Sequence, residues 1–437
     1  MGFVLGVTIF VFPGELAPMA GPALFISFLI AGIPTILSCF VAAQLGNIFP
    51  TSGRGYVAAS TVLSPFWGFM VVWNIMICMV TGIPAVAYGF AKYAMYFGPF
   101  QDWNIVIVAG TCVVFFGLIN LIGVQATAWM QAVMITIYIA VLAVFVIGGM
   151  FHMNLDLMRP LIPGPEITWG SVLQAAVIAT YTMSGYMVIS EMGDDIRDPR
   201  RTIPRALLIS FVLVSFLYVG ACFVAPGLLP WRELAASQTP VADAAVTFLP
   251  PIFGPLIALS ALLGGATTVN AWFLTQSRDV FALARDRVFP APLARVNAGN
   301  KEPAGALIFC TFIVLVGVLT GGRISDYGML TVFGMFFVSV IVGVVVFLAP
   351  RRVPRYYARA EFKLGRIGLP FFSIAFILSS VVFIAFGILG SPMLFLTYVS
   401  LLVPGMVYYA LRKRYLRGKG VDIEVLLTRD LSHLIQP

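Results

Sequence analysis

Apolar stretches long enough to cross a lipid bilayer follow one another along almost the whole chain. One of them, Ile135 to Ile147 (ITIYIAVLAVFVI), has no charged residue and no alternation of apolar and polar side chains. A membrane helix needs about 20 apolar residues, whereas the strands of a membrane barrel alternate. The mean hydropathy of +0.99 and the 10% of charged residues lie outside the range of soluble globular proteins. The sequence therefore predicts an all-α polytopic membrane protein.

Twelve of these stretches are predicted to form transmembrane helices, which we call the first to twelfth spans. They cover residues 1–20, 22–45, 66–91, 104–122, 128–150, 170–190, 206–228, 253–275, 304–320, 328–349, 370–389 and 392–411. Only Met1 to Leu5 precede Gly6, which breaks helices, and five residues make about 8 Å of helix. Because that length is short of half a bilayer, we expect the amino end to be truncated and the natural start to lie upstream.

The Lys and Arg residues divide the loops between the spans into two classes. Loops on one side hold most of them, in clusters at Arg197–Arg205, Arg278–Lys301, Arg351–Arg366 and from Arg412 onward. Cytoplasmic loops are enriched in Lys and Arg, so we expect a plasma membrane of bacterial type with both termini in the cytoplasm. The net charge of +8 then reflects membrane topology, and we expect no nucleic-acid partner.

Side chains typical of catalytic or metal sites are few. The cysteines lie inside apolar spans without the spacing of a metal site, at Cys39, Cys78, Cys112, Cys222 and Cys310. The two histidines, His152 and His433, lie outside the spans, and no nucleophile motif accompanies them. We therefore expect no enzymatic activity, no catalytic residue and no resident cofactor.

In the first and sixth spans, helix-breaking residues and a hydroxyl together interrupt the apolar run. The first has GVTIFVFPG at Gly6–Gly14, and the sixth has TMSG at Thr182–Gly185. Unwound backbone is tolerated in a membrane where it lines a cavity or is buried in protein, and interrupted helices in corresponding positions of two repeats indicate a transporter binding site. The two spans correspond if the core has five plus five helices. Close helix packing at small residues is the alternative interpretation.

Seven longer motifs follow one another along the chain. They are GVTIFVFPG (6–14), AGPALFISFLIAG (20–32), QLGNIFPTSGRGYV (44–57), SPFWGFMVVW (64–73), GVQATAWMQ (123–131), DDIRDPRRTIPRA (194–206) and SRDVFALARDRVFP (277–290). In this order they resemble an amino acid permease of the amino acid-polyamine-organocation superfamily. The resemblance implies a leucine transporter-like fold, an inverted repeat of five plus five helices with discontinuous first and sixth helices. Residues 1–150 would form the first repeat, 170–350 the second, 370–411 two further helices and 412–437 a cytoplasmic tail.

The resemblance also implies a substrate site where the two interrupted helices meet. Backbone N–H groups of the first helix would bind a carboxylate, backbone carbonyls of the sixth would bind an ammonium group, and Tyr181 would cover the substrate. The family usually has a second Gly where this chain has Thr8. The residues implied in substrate binding are Gly6, Val7, Thr8, Tyr181, Thr182, Met183, Ser184, Gly185 and Tyr186.

Carboxylates and hydroxyls inside the spans are candidates for ion coupling. Glu15 and Glu191 lie well within helices, where an unpaired carboxylate costs several kcal/mol, so each is a proton-coupling candidate or a hydrogen-bonded structural acid. Thr267 and Thr268 offer hydroxyls like those that bind sodium in other members of this fold, although Thr hydroxyls often bond to their own helix. Some relatives use a Lys on the fifth helix, which this chain lacks. The sequence leaves three coupling modes open: coupling to sodium, coupling to protons, and exchange without a coupling ion.

The expected function is transport of a small-molecule substrate by alternating access. A neutral amino acid, apolar or aromatic, is the favoured substrate, and Asp194, Asp195 and Arg197 are expected to form ion pairs of an inner gate. A polyamine or amine transporter is the alternative within transport. A non-transporting amino acid sensor is the alternative of another class. The eleventh and twelfth spans lie outside the five-plus-five core, and the sequence leaves open whether they form the interface of a homodimer in the lipid bilayer.

Overall fold

A computed structural model describes residues 4–49, 54–123, 127–186, 198–297, 299 and 302–420. Within these ranges every regular element is helical and no strand occurs. The prediction of an all-α protein is therefore confirmed. The helices form because long apolar runs leave backbone polar groups no partner in lipid other than their own helix.

Each predicted span coincides with a helix, although several helix ends differ from the predicted span ends by seven residues or more. The first half of the chain holds α1 (Thr8–Ala20), α2 (Leu24–Ile48), α3 (Arg54–Val62), α4 (Pro65–Ala94), α5 (Ile105–Ile122), α6 (Thr127–His152) and α7 (Trp169–Thr182). The second half holds α8 (Pro199–Leu228), α9 (Trp231–Ala236), α10 (Pro240–Ala245), α11 (Phe253–Arg285), α12 (Ala304–Leu319), α13 (Ile324–Arg352), α14 (Pro354–Arg359), α15 (Gly365–Gly390) and α16 (Pro392–Gly418).

Nine helical segments of the described chain are long and apolar enough to cross a membrane. The first of them, Thr8–Ile48, contains two predicted spans, because only the short turn Gly21–Ala23 separates α1 from α2. Helix α12 has 16 residues and α7 has 14, so both are shorter than a full span. The number of twelve spans and the inverted repeat stay predictions.

Some helices continue past the apolar stretch that predicts them. Helix α11 ends at Arg285 instead of residue 275, and α16 ends at Gly418 instead of residue 411. Ala, Leu, Arg and Lys favour a helix, and long basic side chains reach water from a helix end. Residues 412–418 of the predicted tail are therefore helical, and the boundary between the twelfth span and the tail stays a prediction.

The helices that carry the interruptions lie inside the bundle. Helix α4 packs against α5, α11, α12 and α13, and α2 packs against α7 and α8. Helices α15 and α16 lie at the periphery, where α15 packs on α13 and α2. Ile367 and Leu389 at the two ends of α15 are 84% and 77% exposed, as expected for side chains that face lipid. This arrangement surrounds α1 and α7 with other helices.

The bundle has two chemically different ends. At one end α3 approaches the end of α11, where the Tyr56 hydroxyl donates to Asp286 Oδ2 at 3.4 Å. We call this the basic end because several helices and loops place Arg residues there, including Arg285, Arg287, Arg351, Arg352 and Arg355. At the other end, which we call the opposite end, the short helices α9 and α10 pack against α1.

Candidate functional site between two interrupted helices

Helix α1 begins abruptly at Thr8 in the interior of the protein. The four residues before it, 4–7, are not helical, and all of them are buried. No side chain caps the helix start. The first N–H groups of a helix have no acceptor within the helix, and they form the positive end of its dipole. The structure therefore places Gly6, Val7 and Thr8 at a helix start that can bind an anion.

Helix α7 comes from the opposite end and stops at Thr182, inside the bundle. Residues 183–186 are not helical, and Gly185 has a φ of +104°, a conformation in which glycine meets no steric cost. The Ser184 hydroxyl donates to the carbonyl of Tyr181 at 2.6 Å. The last carbonyls of a helix have no donor within the helix and form its negative end. Helix α7 therefore ends within the segment Thr182–Gly185 where the sequence predicts a break, with Thr182 as the last helical residue.

The two broken ends meet at a small cavity of about 20 Å³, enough space for a water molecule. Its lining comes from residues before and in α1, from the end of α7, and from α4 and α11. These residues are Val4, Gly6, Thr8, Val86, Tyr181, Thr182, Ser184, Thr268 and Trp272. The side chains of Val7 and Met183 lie elsewhere, because Val7 packs at Gly89 and Met183 packs near Gly32. Only the backbone of these two residues is at the break.

A larger cavity of about 150 Å³ adjoins the small one and runs toward the basic end. Ser184 and Trp272 line both cavities, and Gly185 and Tyr186 line the larger one. Its lining extends to Gly55 of α3 and to the last two turns of α11. Most of its surface is apolar. The site is thus connected to a vestibule that extends toward the basic end.

Aromatic side chains close the site toward the opposite end. The Tyr181 hydroxyl donates to the carbonyl of Gly82 at 2.7 Å, which ties α7 to α4. The rings of Tyr181 and Phe12 lie 6.0 Å apart between centroids. Both rings reach Gly328 of α13, where an added Cβ would lie 3.4 Å from Phe12 and 3.6 Å from Tyr181. Tyr181 is therefore placed where it can cover a substrate on the side of the opposite end.

Two tyrosines hold the non-helical backbone before α1. The Tyr138 hydroxyl of α6 donates to the carbonyl of Gly6 at 3.0 Å, and the Tyr218 hydroxyl of α8 donates to the carbonyl of Val4 at 2.8 Å. The two hydroxyl oxygens are 3.3 Å apart. Sequence reasoning missed both residues, because a single tyrosine in an apolar span has the same appearance as a packing aromatic.

The candidates for ion coupling occupy different places. The hydroxyls of Thr267 and Thr268 donate to the carbonyl of Gly264 at 2.9 and 3.0 Å. Both hydroxyls thus bond to their own helix, which is the alternative to sodium binding for these residues. Of the two, only Thr268 lines the small cavity. Glu15 accepts from Lys92 Nζ at 2.8 Å near the opposite end, seven residues beyond Thr8. Among the described residues, no group of three or more His, Cys, Asp and Glu side chains could hold a metal ion.

The other predicted site residues lie in a part of the chain outside the described residues. They are Glu191, Asp194, Asp195 and Arg197. At the basic end the structure instead describes the bond between Tyr56 and Asp286. Burial, and then the Asp286 carboxylate, raise the pKa of Tyr56 well above its ordinary range, so that Tyr56 stays a neutral donor. Arg201 lies 3.7 Å from Glu361 in an exposed pair at the same end.

Comparison with known families agrees with this architecture. The model of a family described as amino acid permease matches residues 1–411. The chain belongs to the amino acid permease family. The resemblance predicted from the sequence motifs is thereby confirmed. The permease is an integral membrane protein, and its family supports transport of an amino acid-like small molecule.

Individual relatives are distant but cover most of the permease. The chain is 23% identical to the branched-chain amino acid permease BcaP of Bacillus subtilis, over 78% of each chain. It is 24% identical to a methylthioribose transporter of the same organism, over 95% of this chain and 91% of the relative. It is also 24% identical to the chloroplastic cationic amino acid transporter 9 of Arabidopsis thaliana, over 68% and 55%. The family and these relatives are permeases and transporters rather than enzymes.

Proposed function

We propose that the protein is a secondary active transporter that moves a neutral amino acid across the membrane by alternating access. The observation that supports this proposal is the meeting of two helix ends of opposite polarity at one cavity. The start of α1 at Thr8 offers N–H groups to a carboxylate, and the end of α7 at Thr182 offers carbonyls to an ammonium group. A zwitterionic amino acid carries both groups on one carbon atom.

The conformation supports the alternating-access part of the proposal. Tyr181 and Phe12 close the site toward the opposite end, while the larger cavity extends from Ser184 toward the basic end. In a transporter, such a state releases or receives the substrate on one side only. The alternate state would open between Tyr181 and Gly82 and close the larger cavity.

The coupling ion and the side that the basic end faces are also part of this proposal. Protons, sodium and exchange are the three coupling modes we retain, and the basic end is proposed to face the cytoplasm because Lys and Arg are enriched there. Thr268 at the small cavity is the candidate for sodium, and Glu15 is the described candidate for protons. A polyamine has no carboxylate for the start of α1, so we place it second.

Uptake by proteoliposomes tests the proposal. Labelled neutral amino acids, a basic amino acid and a polyamine are offered under a sodium gradient, a pH gradient, or preloading with unlabelled substrate. We expect accumulation of a neutral amino acid, and the gradient or preloading that drives it identifies the coupling mode. Accumulation of the polyamine alone would establish the alternative transporter. Binding of an amino acid without uptake under any condition would establish a sensor.

A matched pair of variants ties uptake to the site. Thr182→Val removes a hydroxyl that is buried at the small cavity without a described partner, and we expect a several-fold lower apparent affinity. Thr136→Val is the control, because its hydroxyl donates to the carbonyl of Ala132 on an exposed face of α6. Equal affinities for the two variants would place the substrate elsewhere.

A further inference from the structure

Of the seven buried side-chain polar atoms that have no hydrogen-bond partner among the described residues, three belong to residues that line the two cavities, and the other four are serine hydroxyls elsewhere. The Thr182 hydroxyl, the Tyr186 hydroxyl and the side-chain oxygen of Gln276 have no hydrogen-bond partner among the described residues. These residues are 3%, 3% and 4% exposed. Thr182 lines the small cavity, whereas Tyr186 and Gln276 line the larger one. A buried polar group left unpaired costs about 1–3 kcal/mol, and at a cavity a ligand can supply the missing partner.

Gln276 differs from the other amides buried in membrane helices. Asn270, on the same helix α11, accepts from the amide of Asn120 at 2.8 Å. Asn74 of α4 donates to the carbonyl of Met70 and accepts from the Tyr398 hydroxyl. Burying an amide in a membrane protein is tolerated when it is bonded in this way. The side-chain oxygen of Gln276 has no such partner among the described residues, and the residue lines the larger cavity.

Its position on α11 relates Gln276 to the site at the helix breaks. Thr268, Trp272 and Gln276 are spaced by four residues and therefore share one face of the helix. Thr268 lines the small cavity, Trp272 lines both, and Gln276 lines only the larger one. Each step is about 6 Å along the helix. Because side chains on a helix tilt toward its amino end, Gln276 reaches back toward Trp272, and a long substrate side chain that extends from a backbone held at the breaks would pass Trp272 and approach the Gln276 amide.

The walls along this route are apolar. Ile75 of α4 and Val332 and Phe336 of α13 line the larger cavity on its way to Gln276. Apolar walls suit the stem of a side chain, and a few polar groups then determine its orientation. Gln276 and Tyr186 both line this cavity and neither carries a formal charge, whereas the charged lining residues Arg278 and Asp279 lie further along α11 toward the basic end. A charged substrate group would gain no opposite charge from Gln276 or Tyr186.

We propose that Gln276, together with the Tyr186 hydroxyl, determines specificity by binding a hydrogen-bond donor at the far end of the substrate side chain. The inference rests on the proposed function and deepens it. The substrate class is a neutral amino acid whose side chain is largely apolar or aromatic and ends in a hydroxyl or an amide. Tyrosine and glutamine have this chemistry. The oxygen of Gln276 accepts from the terminal group, and the Tyr186 hydroxyl completes its hydrogen bonding.

Two near-isosteric pairs of amino acids test the inference. Uptake efficiency is measured in proteoliposomes for labelled tyrosine and phenylalanine, and for labelled glutamine and methionine. Because the analogue without a donor leaves Gln276 unpaired, we expect the donor-bearing member of at least one pair to be favoured about tenfold or more. Gln276→Leu should bring that ratio close to one, chiefly by slowing uptake of the favoured member.

Two further variants separate this effect from general damage. Tyr186→Phe should lower the same ratio while keeping the ring. Thr275→Val should leave it unchanged, because the Thr275 hydroxyl already donates to the carbonyl of Ala271 at 3.0 Å although Thr275 lines the same cavity. A wild-type protein that takes up both members of both pairs equally overturns the inference and leaves the proposed function intact. So does a ratio that survives both Gln276→Leu and Tyr186→Phe. Absence of uptake for every amino acid overturns both.

Discussion

At the scale of single residues, the hydroxyl of Tyr138 bonds to a carbonyl that no helix satisfies. Gly6 precedes α1, and the N–H of Phe10 bonds to Val7 rather than to Gly6. The Tyr138→Phe variant therefore leaves a buried carbonyl unpaired and frees the backbone that lines the small cavity. We expect a loss of about 1 kcal/mol of stability and a substrate affinity lower by about fivefold, measured by thermal melting and by binding.

Tyr93→Phe is the control for this variant. The Tyr93 hydroxyl donates to the carbonyl of Phe10 at 2.8 Å and is as deeply buried. That carbonyl lies inside α1, where the N–H of Gly14 also bonds to it. We expect a similar loss of stability without a change in affinity. An affinity loss of equal size in both variants would contradict a special role for Tyr138 at the break.

Residues differ in how far the sequence alone predicts their place. The helix start after Gly6 and the helix end before Gly185 could be predicted, because glycine weakens a helix within an apolar span and the flanking motifs resemble a known family. Gln276 could not be singled out, since it shares a helix with Asn270 and several threonines. What separates Gln276 from Asn270 is the presence of a partner on α5, and pairing between helices is a property of the tertiary structure.

At the scale of helices, the close approach of α11 to the start of α1 depends on Gly264. A Cβ at this position would lie 2.6 Å from Cε2 of Tyr138 and 3.3 Å from the carbonyl carbon of Gly6. Both neighbours are held in place by the hydrogen bond between them. We expect Gly264→Ala to displace Tyr138, to lower the melting temperature by several degrees and to abolish most substrate binding.

Gly110→Ala on α5 is the matched substitution. Among the described residues, the only neighbour within reach of its Cβ would be Leu315 Cδ2 at 3.9 Å, an ordinary contact. Alanine favours a helix over glycine by up to about 1 kcal/mol, so this variant should melt at the same or a slightly higher temperature. If Gly264→Ala behaved in the same way, α11 would have more freedom to move than the contacts indicate.

Helix positions could be predicted because apolar length determines them, but helix ends could not. The predicted spans stop where charged residues begin, whereas α11 and α16 continue for further turns. The short helices α3, α9 and α10 also escape prediction, since six to nine residues of mixed polarity have no distinctive pattern. Their helical state depends on packing against the bundle, as for α9 on α1.

At the scale of the whole molecule, the ion pair between Glu15 and Lys92 links α1 to the end of α4. Their side chains are 19% and 16% exposed, and the pair lies toward the opposite end, beyond the Tyr181 closure. Alternating access requires α1 to move relative to α4 when that end opens. The pair therefore stabilises the state described here, in which the larger cavity extends toward the basic end.

A reporter cysteine measures the population of this state. Ser339 of α13 lines the larger cavity, and its hydroxyl donates to the carbonyl of Met335 on its own helix. In a protein whose five native cysteines are replaced, Ser339→Cys should react with a small maleimide, N-ethylmaleimide, while the cavity is open. Because the ion pair is worth up to about 1 kcal/mol, Glu15→Gln should slow this reaction by up to about fivefold.

The charge-exchanged double variant tests whether the labelling rate depends on the ion pair itself or on the charge of either residue alone. Glu15→Lys combined with Lys92→Glu restores an ion pair of the same length between the same helices. We expect it to return the labelling rate close to that of the parent, whereas Glu15→Lys alone should slow labelling more than Glu15→Gln because two cations then face each other. If the double variant stayed as slow as Glu15→Lys, the closed opposite end would depend on the aromatic contacts of Tyr181 and Phe12 instead of this ion pair.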